Sequence, residues 1–108
     1  MDIIWLPLAE SVLDEIFVFY KFKSLTVARR MIADIGQATR SLAGFPEMGA
    51  VESRLSERPE IFRYLVVRHI YKIVYFIKNN HIYIADIWDC RRESATLAGR
   101  VKGVKGEG

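Results

Sequence analysis

The stretch from Phe62 to Glu93 constrains the fold most, because residues that favour β-strands dominate it. Its segments 71–78 and 81–89 are rich in Ile, Val, Tyr, Phe and Trp, which pack well on a pleated, half-buried surface. Asn79-Asn80 separates them, and asparagine tolerates the positive φ angles of a two-residue hairpin turn. Upstream, the alternation of side chains over 63–68 predicts one more strand. We therefore predict a meander of three antiparallel strands at the centre of the fold.

The residues before this stretch predict one strand and two helices. Residues 2–6 (DIIWL) form a short β-prone segment that ends at Pro7, and proline suits the first turn of a helix. Ser24 is a candidate N-cap for a second helix, and Gly44 is a candidate for its end. Each helix has an apolar stripe: Ala9, Val12, Leu13, Ile16 and Tyr20 in the first, and Ala28, Met31, Ile32, Ile35 and Leu42 in the second. We expect an α+β fold in which an N-terminal strand and an antiparallel helical hairpin precede the three-stranded antiparallel meander.

The hairpin register assigns each side chain of the last two strands to a face. A two-residue loop pairs Lys78 with His81, and alternation follows from that pair. The face predicted to carry the helices holds Tyr71, Ile73, Tyr75, Ile77, Ile82, Ile84, Asp86 and Trp88. The other face holds Lys72, Val74, Phe76, Lys78, His81, Tyr83, Ala85 and Ile87. This second face is too apolar to be simply solvated, so we expect the C-terminal tail or another chain to cover it.

The remaining segments carry weaker signals. Residues 50–61 are charged around Pro59 and predict a loop, with a short edge strand as an alternative. Residues 94–101 predict one or two helical turns, and 102–108 (KGVKGEG) predicts a disordered tail. A chain of 108 residues fits one domain, which we place at 1–101.

Composition and motifs exclude several classes of function. No apolar run approaches the roughly 18 residues that a membrane span requires, so we expect no membrane association. The single cysteine, Cys90, leaves no internal disulfide and fits a reducing compartment, which predicts a cytoplasmic protein. The chain has no phosphate-binding glycine loop and no Cys/His pattern at metal spacing, so we expect neither a cofactor nor a metal. A net charge of +3 and a pI near 9.2 are compatible with an acidic partner.

Arginines at the ends of the predicted strands are the candidate functional residues. Arg63 opens one strand, and Arg91 and Arg92 follow another, so we expect the three guanidinium groups to meet at one edge of the sheet. There they would bind phosphates or carboxylates of a target. The alternative is salt bridges with neighbouring acids. His69 and His81, both near predicted turns, are candidate general bases.

Several short motifs, taken in order, resemble the RelE/ParE family of bacterial type II toxins. They are Trp5-x-Pro7-x-Ala9, Ser24-x-x-x-Ala28, Leu42-x-x-Phe45-Pro46-x-x-Gly49, Arg63-x-Leu65-x-Val67, Tyr71-x-Ile73-x-Tyr75 and Ile87-x-Asp89-x-Arg91-Arg92. The resemblance covers residues 3–93 and implies the same strand, helical hairpin and meander. It also implies a toxin that a small cognate antitoxin neutralises in a hetero-oligomer, through an amphipathic segment wrapped around the helices and the sheet.

The resemblance implies two alternative targets. RelE-type members are ribosome-dependent mRNA endonucleases, for which Arg63, Arg91, Arg92 and His81 are the candidate catalytic residues. ParE-type members inhibit DNA gyrase without such chemistry, and Arg63, Arg91 and Arg92 would then bind the target. No tyrosine or histidine follows Arg92, where the nuclease would carry its acid or base, and this favours the ParE-like alternative. A third alternative is an inactive toxin fold that binds antitoxin alone.

Overall fold

The computed structural model describes residues 1–92, which form a five-stranded sheet and two helices. The elements are β1 (Asp2–Trp5), α1 (Pro7–Lys21), α2 (Leu25–Ser41), β2 (Ala50–Val51), β3 (Phe62–Val67), β4 (Tyr71–Lys78) and β5 (His81–Asp89), with a 3₁₀ turn at Ser53–Leu55. The strand order is β1-β5-β4-β3-β2, and β1 is parallel to β5 while the other pairs are antiparallel. The predicted α+β architecture is confirmed. The predicted helical turns at 94–101, the tail at 102–108 and the domain limit at 101 lie outside the described residues.

The two helices begin at the residues that the sequence predicts. Pro7 is the first residue of α1, and the Ser24 hydroxyl caps α2 by accepting a hydrogen bond from the Val27 amide at 3.3 Å. Both apolar stripes pack against the same face of the sheet, where they share one core with the strands: Ala9, Ile16, Tyr20, Ala28, Met31, Ile35, Leu42, Ile73, Tyr75, Ile82 and Ile84 are buried there. We call this face the helix face and the opposite one the outer face. No helix within residues 1–92 is long and apolar enough to span a bilayer.

The Asn79-Asn80 turn sets the register of β4 and β5 as predicted. Both asparagines have positive φ angles, 52° and 63°, and Lys78 pairs with His81. Arg68 and His69 adopt similar angles, 55° and 57°, in the turn between β3 and β4. Two tight turns of non-glycine residues therefore bring three long strands into a meander.

A β-bulge overturns part of the predicted assignment of faces. Tyr75 pairs with Ile84 but Val74 pairs with Asp86, so Ala85 is an extra residue in β5. Beyond it every side chain of β5 changes face. Asp86 and Trp88, predicted on the helix face, lie on the outer face, and Ile87 is buried on the helix face instead.

The charged segment between β2 and β3 covers part of the outer face. The Glu52 carboxylate is 3% exposed and accepts hydrogen bonds from Lys72 Nζ at 2.8 Å and from Arg54 Nη2 at 2.9 Å. Arg54 in turn lies over the Trp88 ring, 5.0 Å from its centroid. The segment predicted as a charged loop is therefore attached to the sheet, and the short edge strand predicted as an alternative is present in it as β2. This segment provides part of the cover that the outer face requires.

Candidate functional site

The three candidate arginines do not meet at one edge of the sheet. β3 and β5 are both antiparallel to β4, so they run in the same direction, and the start of β3 and the end of β5 lie at opposite ends of the sheet. Arg63 is level with Tyr75, whereas Asp89, which precedes the other two arginines, is level with Tyr71 four residues away along β4. The predicted single patch is wrong, and Arg63 belongs to a different part of the surface from Arg91 and Arg92.

Arg63 holds the turn that leads from the helices into β2. Its Nη1 donates hydrogen bonds to the carbonyl oxygens of Gly49 at 3.0 Å and Glu47 at 3.4 Å. The Tyr75 hydroxyl accepts a bond from the Gly49 amide at 3.0 Å and donates one to the Pro46 carbonyl at 2.7 Å. Burial raises the pKa of Tyr75, so the phenol keeps the proton that it donates. These contacts give Arg63 a structural role in the turn at 46–49, which we call the Gly49 turn.

Arg91 and Arg92 differ in how accessible their charges are. Arg91 donates from Nε and Nη2 to the two carboxylate oxygens of Asp89, at 3.2 and 3.1 Å. Although partial burial alone would raise the pKa of Asp89, the bonds from Arg91 lower it, so the pair stays ionised at neutral pH. Arg92 is exposed, and its guanidinium makes no ion pair with any other residue of the described range. Arg92 therefore offers the more available charge to a target.

The two histidines lie at opposite ends of the meander. His81 opens β5 on the outer face, with its Nδ1 3.6 Å from an Asp2 carboxylate oxygen. His69 is exposed in the β3–β4 turn, beside the Ile70 carbonyl that accepts a 2.7 Å bond from the Cys90 amide. The sequence candidate His81 is thus far from Arg91 and Arg92, and His69 lies close to the segment that carries them. Within residues 1–92, no three possible metal ligands come together.

A cleft beside β1 is a surface that the sequence did not predict. It has a volume of about 500 Å³ and lies between β1 and α2, lined among others by Ile3, Trp5, Ile32, Ala33 and Gly36. β1 is the outermost strand, so its second edge has no strand partner in the described part of the chain. A glycine in the middle of a helix is the signal that could have indicated it, because the missing side chain leaves room for the Arg40 guanidinium, whose Nη1 would lie 3.1 Å from a β-carbon at Gly36.

The tip of the helical hairpin exposes further apolar side chains. Phe22, in the link between α1 and α2, is 84% exposed, and Val18, Phe19 and Leu25 nearby are each more than two-fifths exposed. Contiguous apolar surface of this kind on a small domain is typical of protein-binding sites.

Comparisons with known proteins found a matching family model and a solved structure of similar fold. A family model described as the ParE toxin of type II toxin-antitoxin system, parDE, matches residues 3–94. No curated protein sequence matches the chain. A solved structure titled "Chromosomal ParDE TA system from P. aeruginosa" is similar in fold, with a TM-score of 0.68 and 24% sequence identity over 82% of this chain and 95% of that chain. Because the family model spans nearly the whole described structure, the chain belongs to the ParE toxin family of type II toxin–antitoxin systems.

Proposed function

We propose that this toxin acts in the cytoplasm by inhibiting DNA gyrase, without catalysis of its own, and that Arg91 and Arg92 contact the target. The observation that carries the proposal is that the candidate ribonuclease residues do not converge. Arg63 points to the helix face and is bonded to the Gly49 turn, His81 is on the outer face, and Arg91 and Arg92 follow the far end of β5. General acid–base chemistry needs its groups within hydrogen-bond reach of one reacting site.

A gyrase assay with an arginine variant tests this proposal. We expect Arg91→Ala/Arg92→Ala to raise the concentration that half-inhibits supercoiling by purified gyrase at least about tenfold, since losing about 1.4 kcal/mol of charge-assisted contact has that effect. The folded state should change little, because exposed ion pairs contribute about 0–1 kcal/mol. Arg58→Ala, which removes an exposed arginine from the segment between β2 and β3, is the control and should inhibit like wild type.

Two results would contradict the proposal. If wild-type protein leaves supercoiling unchanged at every concentration, gyrase is not the target. If the double variant inhibits as well as wild type, the target contacts lie elsewhere, most simply on the exposed hairpin tip.

A second candidate function, ribosome-dependent mRNA cleavage, is favoured by the position of His69. This histidine is exposed in the turn bonded to Cys90 and so lies near Arg91 and Arg92, where an acid or base would be needed. His69→Gln should then abolish cleavage of mRNA on ribosomes while gyrase stays active. If the chain affects neither gyrase nor translation, the remaining function is antitoxin binding by an inactive toxin fold.

We propose that the cognate antitoxin inserts an apolar segment into the cleft between β1 and α2. The cleft is lined mainly by apolar side chains, with Thr39 and Arg40 as its polar members, and the adjoining edge of β1 offers backbone groups for an added strand. A ligand at 100 times its Kd stabilises the folded state by about 2.7 kcal/mol. Saturating antitoxin should therefore raise the Tm by about 10 °C or more, as scanning calorimetry would measure.

A matched pair of variants locates the antitoxin on this surface. Ala33→Glu places a carboxylate in the cleft from an exposed position on α2, and we expect it to weaken antitoxin binding at least about tenfold, because the charge would be desolvated. Gln37→Glu likewise introduces a carboxylate one turn later, at an exposed residue outside the cleft lining, and should bind like wild type. Equal affinity of both variants in titration calorimetry would rule out the cleft.

A further inference from the structure

The fold gathers basic residues from three separate segments at one end of the molecule. Lys21 ends α1 and Lys23 lies in the link that follows it. The β3–β4 turn contributes Arg68 and His69, and the residues after β5 contribute Arg91 and Arg92; we call this set the basic end. The segments meet through buried contacts, because the Tyr20 hydroxyl of α1 lies 3.5 Å from the Tyr71 hydroxyl, and Tyr71 pairs with Asp89. The bond from Cys90 to Ile70 joins the third segment to the turn.

Two carboxylates offset part of this charge. Asp89 binds Arg91, and Asp34 on α2 lies 3.5 Å from Arg68 Nε. Lys21, Lys23 and Arg92 are exposed and make no ion pair with described residues. The sequence from 16 to 33 contains no acidic residue at all, so no carboxylate from the helical hairpin tip neutralises the lysines. The basic end is therefore a surface of excess positive charge on a chain whose net charge is only +3.

We infer that the basic end binds the phosphate backbone of duplex DNA. This inference rests on the proposed action on gyrase, because gyrase is an enzyme whose substrate is DNA. The end of β3 and the end of β5 are separated by one strand, so their basic residues lie roughly 10 Å apart, and the lysines of α1 extend the set further. A spread of this size spans several phosphates of a duplex, which carries one charge per roughly 1.7 Å of axis. The positive charges come from three separate segments and not from the lining of one groove, which favours an extended polyanion over a single acidic protein segment.

Fluorescence anisotropy with a labelled duplex of about 20 base pairs measures this binding for the whole chain without gyrase. We expect micromolar binding at 50 mM salt that weakens with added salt, since each phosphate contact contributes about 0.9 to the slope of log affinity against log salt. Lys21→Ala/Arg92→Ala should weaken binding at least about tenfold and lower the slope by about 2. Arg58→Ala/Lys78→Ala removes one lysine and one arginine away from the basic end, and should leave both quantities unchanged.

The outcomes separate this inference from the proposed function. If wild type shows no binding to the duplex at 50 mM salt, or if both double variants lose affinity equally, DNA binding by the basic end is overturned. If Lys21→Ala/Arg92→Ala loses affinity for gyrase in the absence of DNA while duplex binding is unchanged, the partner of the basic end is an acidic protein surface. Unchanged supercoiling in the presence of wild type would refute the proposed target, and the anisotropy result would still stand.

Discussion

Gly49→Ala should destabilise the folded protein by about 3 kcal/mol, because a β-carbon at this position has no space. It would lie 2.6 Å from the Tyr75 hydroxyl oxygen and 2.7 Å from the Tyr64 carbonyl oxygen. The second of these is backbone within β3 and cannot move without disturbing the sheet. Urea denaturation of the purified variant, followed by circular dichroism, would measure the loss of unfolding free energy.

Gly44→Ala is the matched control for this prediction. A β-carbon at Gly44 would meet a single atom, the Ser41 carbonyl oxygen, at the ordinary contact distance of 3.9 Å. We expect this variant to unfold within about 0.5 kcal/mol of wild type. Equal stability of the two alanine variants would contradict the close packing of the Gly49 turn.

A double variant tests whether Tyr75 is part of the obstruction. Tyr75→Phe alone should cost about 1–3 kcal/mol, because the Gly49 amide and the Pro46 carbonyl would lose their buried partner. Combined with Gly49→Ala, it should cost less than the sum of the two single changes, because the nearest clashing atom is absent. The Tyr64 carbonyl oxygen would still oppose the new methyl group, so stability should recover only in part.

The parts of the fold that the sequence predicts are those that local chemistry decides. The bounds of β4 and β5 match the prediction because two asparagines at positive φ interrupt a run of β-branched and aromatic residues. The parallel pairing of β1 with β5 was not predicted, because it joins residues about 80 positions apart in sequence with no local signal at either strand. The bulge at Ala85 likewise depends on how β5 packs, and it reversed the predicted faces of three residues.

The candidate site was predicted less well than the fold, for a reason that topology explains. Two strands that flank a common antiparallel neighbour run in the same direction, so Arg63 could not have joined Arg91 and Arg92 at one end. The same reasoning would have placed Arg68 beside Arg91, since both follow the ends of their strands. The roles of all these arginines at a target remain predictions that the experiments above test.

The buried Glu52 carboxylate should make the protein sensitive to acid. Its side chain accepts hydrogen bonds from Lys72 Nζ at 2.8 Å and from the Arg54 amide, Nε and Nη2 at 3.0, 3.0 and 2.9 Å. Lys72 Nζ also lies 4.1 Å from the centroid of the Tyr64 ring. The bonds from Arg54, with a further contribution from Lys72, outweigh the opposing effect of burial and lower the pKa of Glu52 from 4.5 to about 2.

The direction of the pH effect follows from which state binds the proton more tightly. The unfolded chain protonates Glu52 near pH 4.5, whereas the folded protein resists protonation until about pH 2. The ionised carboxylate therefore stabilises the folded state fully above pH 4.5, and this contribution is lost as the pH falls to about 2. A pKa difference of this size corresponds to about 3 kcal/mol of unfolding free energy.

Glu52→Gln should remove this contribution and with it the acid sensitivity that Glu52 causes. At pH 7 we expect the variant to be about 3 kcal/mol less stable than wild type, because Lys72 and Arg54 would lose the charge that compensates their partial burial. The difference should shrink progressively as the pH falls below 4.5, and the two proteins should become nearly equal in stability near pH 2, as denaturant titrations across the pH range would show. Glu60→Gln is the matched control: its carboxylate lies 3.9 Å from the exposed Lys78 ammonium, so it should change stability by less than about 1 kcal/mol. A constant difference between Glu52→Gln and wild type from pH 7 to pH 2.5 would mean that the carboxylate acts through packing and not through its charge.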